Sequence, residues 1–150
     1  MDSSVLFKPF EIPKLQLKNR IVMAPMTRGF SPGGIPGDRV ADYYRRRAEG
    51  GVGLIISEGT LVNHPAATDS LDHPVFYGKA PLAGWKKVVD AVHSAGGKMV
   101  PQIWHIGSVR KPGTGPFPDA ESASPSGMVA PGKKKLPELS TAEIQKIVTA

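Results

Sequence analysis

The chain has 150 residues, 40% hydrophobic and 21% charged, with no cysteine and a net charge of +6, which is enough apolar material for one domain and one core. The missing thiols exclude disulfides, thiolate metal sites, iron–sulfur clusters and a cysteine nucleophile within these residues. The basic excess does not read as a nucleic-acid surface: Arg45, Arg46 and Arg47 close a helix where cations suit the dipole, and Lys133, Lys134 and Lys135 lie in a Pro/Gly loop without interleaved aromatics.

In chain order, Phe7–Ile12 and Leu15–Leu17 predict a short hairpin. Ile21-Val22-Met23 then predicts a strand buried inside a parallel sheet, broken by Pro25, which removes an N–H and fixes φ. A helix is expected from Asp38, an N-cap residue type, with Val40, Tyr43, Tyr44 and Ala48 on its inner face and a stop at Gly50-Gly51. Gly53–Gly59 predicts a second buried strand whose carboxyl end is Gly59. After a polar loop, a second helix is expected from Leu82 to Ala95, its inner face formed by Trp85, Val88, Val89 and Val92. Met99–Trp104 is the third strand. It is followed by a connection of ~30 residues rich in Gly, Pro and Ser, far above the usual ~4–6, as in functional lids or disordered segments. Ser140-Thr141-Ala142-Glu143 has the pattern of a capping box and opens a last helix with Ile144, Ile147 and Val148 on one face.

Strand, helix, strand, helix, strand, helix is the order of an α/β parallel sheet. The start of the chain, Met1 to Ser4, lacks a basic segment followed by an apolar one, and no stretch nears ~18 uninterrupted apolar residues. The expectation is a cytoplasmic protein with no membrane partner.

The chemistry gathers at strand ends. Ala24, Pro25, Met26 and Thr27 leave the first strand, Gly59 ends the second, and Gln102 and Trp104 sit in the third. Pro25 and Met26 can form an apolar shelf, Gly59 permits close backbone approach, and an amide such as Gln102 both donates and accepts. Thr27 capping a turn and Met26 filling core space are the plain alternatives for each residue taken alone.

The Ala24-Pro25-Met26-Thr27 tetrad and the Gln102-Ile103-Trp104 triplet together resemble the Old Yellow Enzyme family of FMN-dependent ene-reductases, over the whole chain. The resemblance implies a TIM (β/α)8 barrel, of which these residues supply an amino-terminal hairpin and the first three β/α units; a complete barrel takes ~250 residues. It implies FMN as cofactor, NAD(P)H as hydride donor, and ping-pong reduction of activated C=C bonds in α,β-unsaturated carbonyl or nitro compounds. It places Ala24, Pro25, Met26, Thr27, Gly59 and Gln102 at FMN, with Thr27 toward O4, Gln102 on the pyrimidine, and Thr27 and Trp104 at the substrate pocket. The family's carbonyl-binding His/Asn or His/His pair, proton-donating Tyr, flavin-binding Arg and phosphate loop would all follow Ala150, so no catalytic residue is assigned within this segment. A related FMN barrel such as a dienoyl-CoA reductase, or an inactive truncated product that dimerises over its open edges, are the alternative readings; homo-oligomerisation is left open.

Other motifs carry less. His64, His73, Asp69 and Asp72 share a loop but match no metal-ligand spacing, so no metal is assigned. His93 is expected on an exposed helix face, and His105 at the pocket rim faces either ligand or solvent. Gly127–Lys133 has the spacing of a phosphate loop, but no strand precedes it and Lys134 stands where Ser or Thr belongs. Gly51-Val52-Gly53 precedes a strand instead of following one, unlike a dinucleotide fingerprint.

Overall fold

Three parallel strands, β3 (Val22–Met23), β4 (Leu54–Leu61) and β5 (Lys98–Trp104), lie side by side in the order β3-β4-β5. The computed structural model describes residues 2–150. Helix α1 (Asp38–Glu49) joins β3 to β4, and α2 (Lys79–Ser94) joins β4 to β5. A hairpin, β1 (Phe10–Ile12) and β2 (Leu15–Leu17), precedes the sheet as the sequence predicts.

The register decides which face is buried. Met23, Ile55 and Met99 stand in one row, and Ile56 and Val100 in the next. Side chains of paired residues share a face, so the first row meets the helices. There Ile55 joins Val40, Tyr44 and Ala48 of α1 and Trp85, Val88 and Val92 of α2 in a core, with Met23 and Met99 packed against it. Each large apolar side chain removed from water in this way stabilises by ~1.5–3 kcal/mol. On the other face no layer covers the sheet among the described residues, and Val22 is 47% exposed. The expectation that Ile21–Met23 is buried inside a sheet therefore holds on one face only.

Helix α1 starts at Asp38 as predicted but with a different cap, and α2 starts earlier than predicted. Gly37 is the N-cap of α1 and Asp38 its first residue, where the carboxylate favours the positive end of the dipole and pairs with Lys87 Nζ at 3.2 Å. Tyr43 of its predicted inner face is half-buried. Helix α2 begins at Lys79, before the predicted Leu82, because Pro81 sits in the first turn, where its missing N–H costs nothing. Val89 is half-buried, and His93 is exposed.

Strand β4 runs two residues past Gly59, contrary to the prediction that Gly59 ends it, and Leu61 pairs with Trp104. Between Ile56 and Gly59 the register shifts against Val100 and Gln102, so Ser57 and Glu58 together oppose Pro101. This is a bulge, placed where β5 has a residue without an N–H to give.

The long connection after β5 is folded. It holds a 3-10 turn at Gly107–Val109 and a small hairpin of β6 (Met128–Ala130) and β7 (Lys133–Lys134). Lys133 and Lys134 thus lie in a strand and not in a loop, and Lys134 pairs with Glu138. The organiser of this segment is Arg110, 3% exposed. Its guanidinium donates to the carbonyl oxygens of Thr68 (3.1 Å), Ala120 (2.5 Å), Thr114 (3.2 Å) and Phe117. Helix α3 (Thr141–Val148) opens with the predicted capping box: Glu143 N–H donates to Ser140 Oγ at 3.3 Å, and Ser140 N–H to Glu143 Oε2 at 2.7 Å. Ile144 and Ile147 are half-buried, but Val148, assigned to the same face, is 73% exposed.

Candidate active site

Because β3, β4 and β5 are parallel and adjacent, their carboxyl ends gather Ala24–Thr27, Gly59 and Gln102–Trp104 at one end of the sheet. Pro25 is half-buried, while Ala24, Thr27 and Met26, the last at 53%, are exposed. Gly59 is fully inside and pairs directly with Gln102. Gln102 is half-buried; its backbone N–H donates to Ser57 Oγ at 3.0 Å, and its side-chain amide has no protein partner among the described residues. Trp104 lies over Gly59, where a Cβ would overlap the indole ring. The small residue at Gly59 is thus demanded first by Trp104. On its other neighbours, Trp104 meets the His73 ring with centroids 5.8 Å apart.

Behind this surface is a buried polar cluster that the sequence reading passed over. Glu58 is fully buried. Its Oε1 accepts from Arg28 Nη2 at 2.7 Å and from the Tyr44 hydroxyl at 3.5 Å. Its Oε2 accepts from the backbone N–H groups of Arg28 (3.1 Å) and Gly29 (3.3 Å), and its own N–H donates to Tyr44 Oη at 2.8 Å. Burial pushes the Tyr44 hydroxyl up to about 12, so it stays a donor at any working pH. The Arg28 guanidinium lies 3.5 Å from the Tyr43 ring centroid and that of Arg47 lies 3.4 Å from it, which requires opposite faces of the ring. Arg47 is therefore stacked on an aromatic ring as well as placed at the end of its helix. The signal for Glu58 was present in the sequence: a carboxylate inside a strand buried on both faces demands a cationic or hydrogen-bonding partner.

The histidines divide. His105 Nε2 and His64 Nδ1 are 3.1 Å apart, and the backbone N–H of Gly107 donates to His105 Nδ1 at 3.0 Å. A neutral His105 consequently keeps its proton on Nε2 and donates it to His64. Burial lowers both imidazoles below their ordinary value, and His64 lowers His105 further. Of the two readings left open for His105, ligand or solvent, the structure supplies a third: it clasps the loop after β4 to the loop after β5.

A flavin ring needs an apolar shelf, small residues at close approach and donors and acceptors on its pyrimidine edge. Pro25 and Met26 give the shelf, Gly59 the small residue, and the Thr27 hydroxyl and Gln102 amide the polar partners, so the residues present fit FMN. No helix among the described residues is long and apolar enough to cross a membrane.

Known proteins resemble the chain over most of its length. Residues 5–150 match the model of the NADH:flavin oxidoreductase / NADH oxidase family. The chain is 47% identical over 102 residues to 12-oxophytodienoate reductase 7 of Oryza sativa, covering 68% of this chain and 25% of that protein. It is 36% identical over 148 residues to a putative 12-oxophytodienoate reductase 2 of the same plant, covering 95% and 39%. Morphinone reductase in complex with tetrahydroNAD superposes with a TM-score of 0.82 at 36% identity, over 96% of this chain and 43% of that one. An Old Yellow Enzyme homologue from Zymomonas mobilis superposes with a TM-score of 0.77 at 31% identity, over 96% and 42%. The chain thus spans a quarter to about two-fifths of the length of these relatives.

Proposed function

The chain belongs to the NADH:flavin oxidoreductase / NADH oxidase family, and from that premise we propose that it forms the amino-terminal part of a single FMN-binding (β/α)8 barrel domain whose enzyme reduces activated C=C bonds of enone-type substrates with NAD(P)H. The observation that carries this reading is the convergence of three adjacent strand ends, which brings a hydroxyl, a backbone without a side chain and a free amide to one surface. The names of the relatives, 12-oxophytodienoate reductase and morphinone reductase, support an α,β-unsaturated carbonyl as the substrate class.

FMN, when bound, supplies the hydride relay between nicotinamide and substrate. The chain's own part is to hold and tune it. Ala24, Pro25 and Met26 provide the shelf, Gly59 the close backbone, and Gln102 pairs with the C=O and N–H pattern of the pyrimidine edge. The Thr27 hydroxyl donates at the O4 side, where added electron density is stabilised by a preorganised donor. Trp104, fixed over Gly59, shapes entry to the substrate pocket.

The test is a visible spectrum of the purified protein followed by precipitation and assay of the supernatant for FMN. Yellow protein releasing FMN is the expected result for the complete barrel; a complete barrel that stays colourless with added FMN refutes the reading. The 150 residues alone are expected to bind FMN weakly and to turn over little, and stoichiometric flavin with normal turnover in that isolated chain refutes that part.

A further inference from the structure

The bulge in β4 puts two polar side chains between the strand ends that the FMN reading uses, and each reaches a different neighbour. Glu58 reaches back to β3: its carboxylate takes the N–H groups of Arg28 and Gly29, the two residues that follow Thr27. Ser57 reaches forward to β5: its hydroxyl takes the N–H of Gln102. Ser57 Oγ also meets Thr60 Oγ1 at 3.2 Å and Glu58 O at 2.8 Å, and Tyr44 holds Glu58 from behind. We infer that Ser57 and Glu58 are positioning residues, which set where Thr27 and Gln102 stand on either side of Gly59 and through them the affinity and reduction potential of FMN; this rests on the functional reading above.

Stability alone is a poor account of the pair. A buried carboxylate and guanidinium must recover the loss of two hydration shells, and well-packed apolar residues commonly serve a core as well or better. What a carboxylate adds is direction: two backbone N–H groups and one guanidinium nitrogen, Arg28 Nη2, converge on it from one loop. Among the described residues Thr27 makes no hydrogen bond of its own, and it is exposed, so the peptide bonded to it is what fixes its place. Gln102 is fixed in the same way, through its backbone, while its amide stays free. The bulge is required for both reaches, because it makes room for consecutive buried residues, at 1% and 0% exposure, opposite the single Pro101.

The test uses the holoprotein and the variants E58Q, T27A, S57A and Q102A with the doubles T27A/E58Q and Q102A/S57A. FMN dissociation constants, midpoint potentials and melting temperatures are measured for each. E58Q is expected to weaken FMN binding by ~10–100-fold, the range found when the outer partner of a ligating group is removed, and to move the potential in the direction that T27A moves it. The T27A/E58Q double is expected to shift the potential no further than T27A alone, since Glu58 acts through Thr27. E58Q that melts earlier while keeping wild-type affinity and potential, or effects that add in the double, overturns the inference. If E58Q fails to fold, S57A decides in its place: an effect on FMN that vanishes in the Q102A background supports positioning, and an additive one overturns it. A wild-type barrel without FMN overturns the functional reading and this inference with it, whereas FMN bound equally by all variants overturns the inference alone.

Discussion

Replacing Arg110 by Lys tests whether one buried guanidinium holds the long connection after β5 together. Arg110 spreads four hydrogen bonds over the carbonyls of Thr68, Ala120, Thr114 and Phe117, spanning two loops. A lysine ammonium is a single point with its donors on one nitrogen and cannot serve carbonyls that a planar fork reaches in several directions. Keeping two of the four bonds, the variant loses two charged hydrogen bonds at ~1.5–3 kcal/mol each, or about 3 kcal/mol after relaxation. The loss falls on local opening of the connection, because the four carbonyls that Arg110 binds belong to loops. At ~1.4 kcal/mol per tenfold, the open population rises about 100-fold. Hydrogen exchange reads this directly at Gly113 N–H, bonded to Pro118 O at 3.0 Å, and Ala120 N–H, bonded to Phe117 O at 3.0 Å. Protection at both amides within about threefold of wild type refutes the account of Arg110 as organiser.

Gly59→Ala places a methyl group inside the Trp104 ring, and overpacking of this kind costs ~1–3 kcal/mol; an unchanged urea midpoint refutes the close fit. His64 and His105 are held neutral by burial, from an ordinary value of 6.5. The unfolded chain therefore takes up protons first as pH falls below 6.5, and stability is lost from there down to the lowered folded values, with the full contribution present above. Urea midpoints at several pH values for wild type and H64Q/H105Q check this: the acid-side slope is expected to be shallower in the double variant, and parallel profiles refute it. Ser140→Ala removes the capping box and is expected to cost α3 ~1 kcal/mol; the Glu143 carboxyl, held below its usual range by the Ser140 hydroxyl and N–H, should titrate higher in the variant, and an unmoved titration refutes the pairing.

Periodicity and turn chemistry made the helices and the three parallel strands legible, because each has an apolar pattern of its own and α1, α2 and β4 have glycines beside their ends. The capping box at Ser140 was read correctly to the residue, since both partners lie within one turn. What the sequence reading missed depends on pairing between distant residues. That β4 runs through Gly59 follows from its ladder with β5, which no local pattern records. The placement of α2 turned on Pro81, whose meaning differs between the first turn of a helix and its interior. The strand-end residues were found as a set, but the polar cluster behind them was not, because Arg28, Tyr44 and Glu58 acquire meaning only together. The long connection read as Gly/Pro/Ser loop, while a single arginine within it supplies the order.

The position of the two tryptophans gives the chain a pair of separable optical reporters. Trp85 is 5% exposed in the helix layer, its indole N–H donating to Val75 O at 3.2 Å. Trp104 stands among those ends, over Gly59 and beside His73. Emission from a variant lacking Trp104 follows Trp85 in the helix layer, and the difference from wild type follows Trp104. Loosening at the mouth of the sheet can thus be watched while the helices stay docked, in one cuvette and without a label.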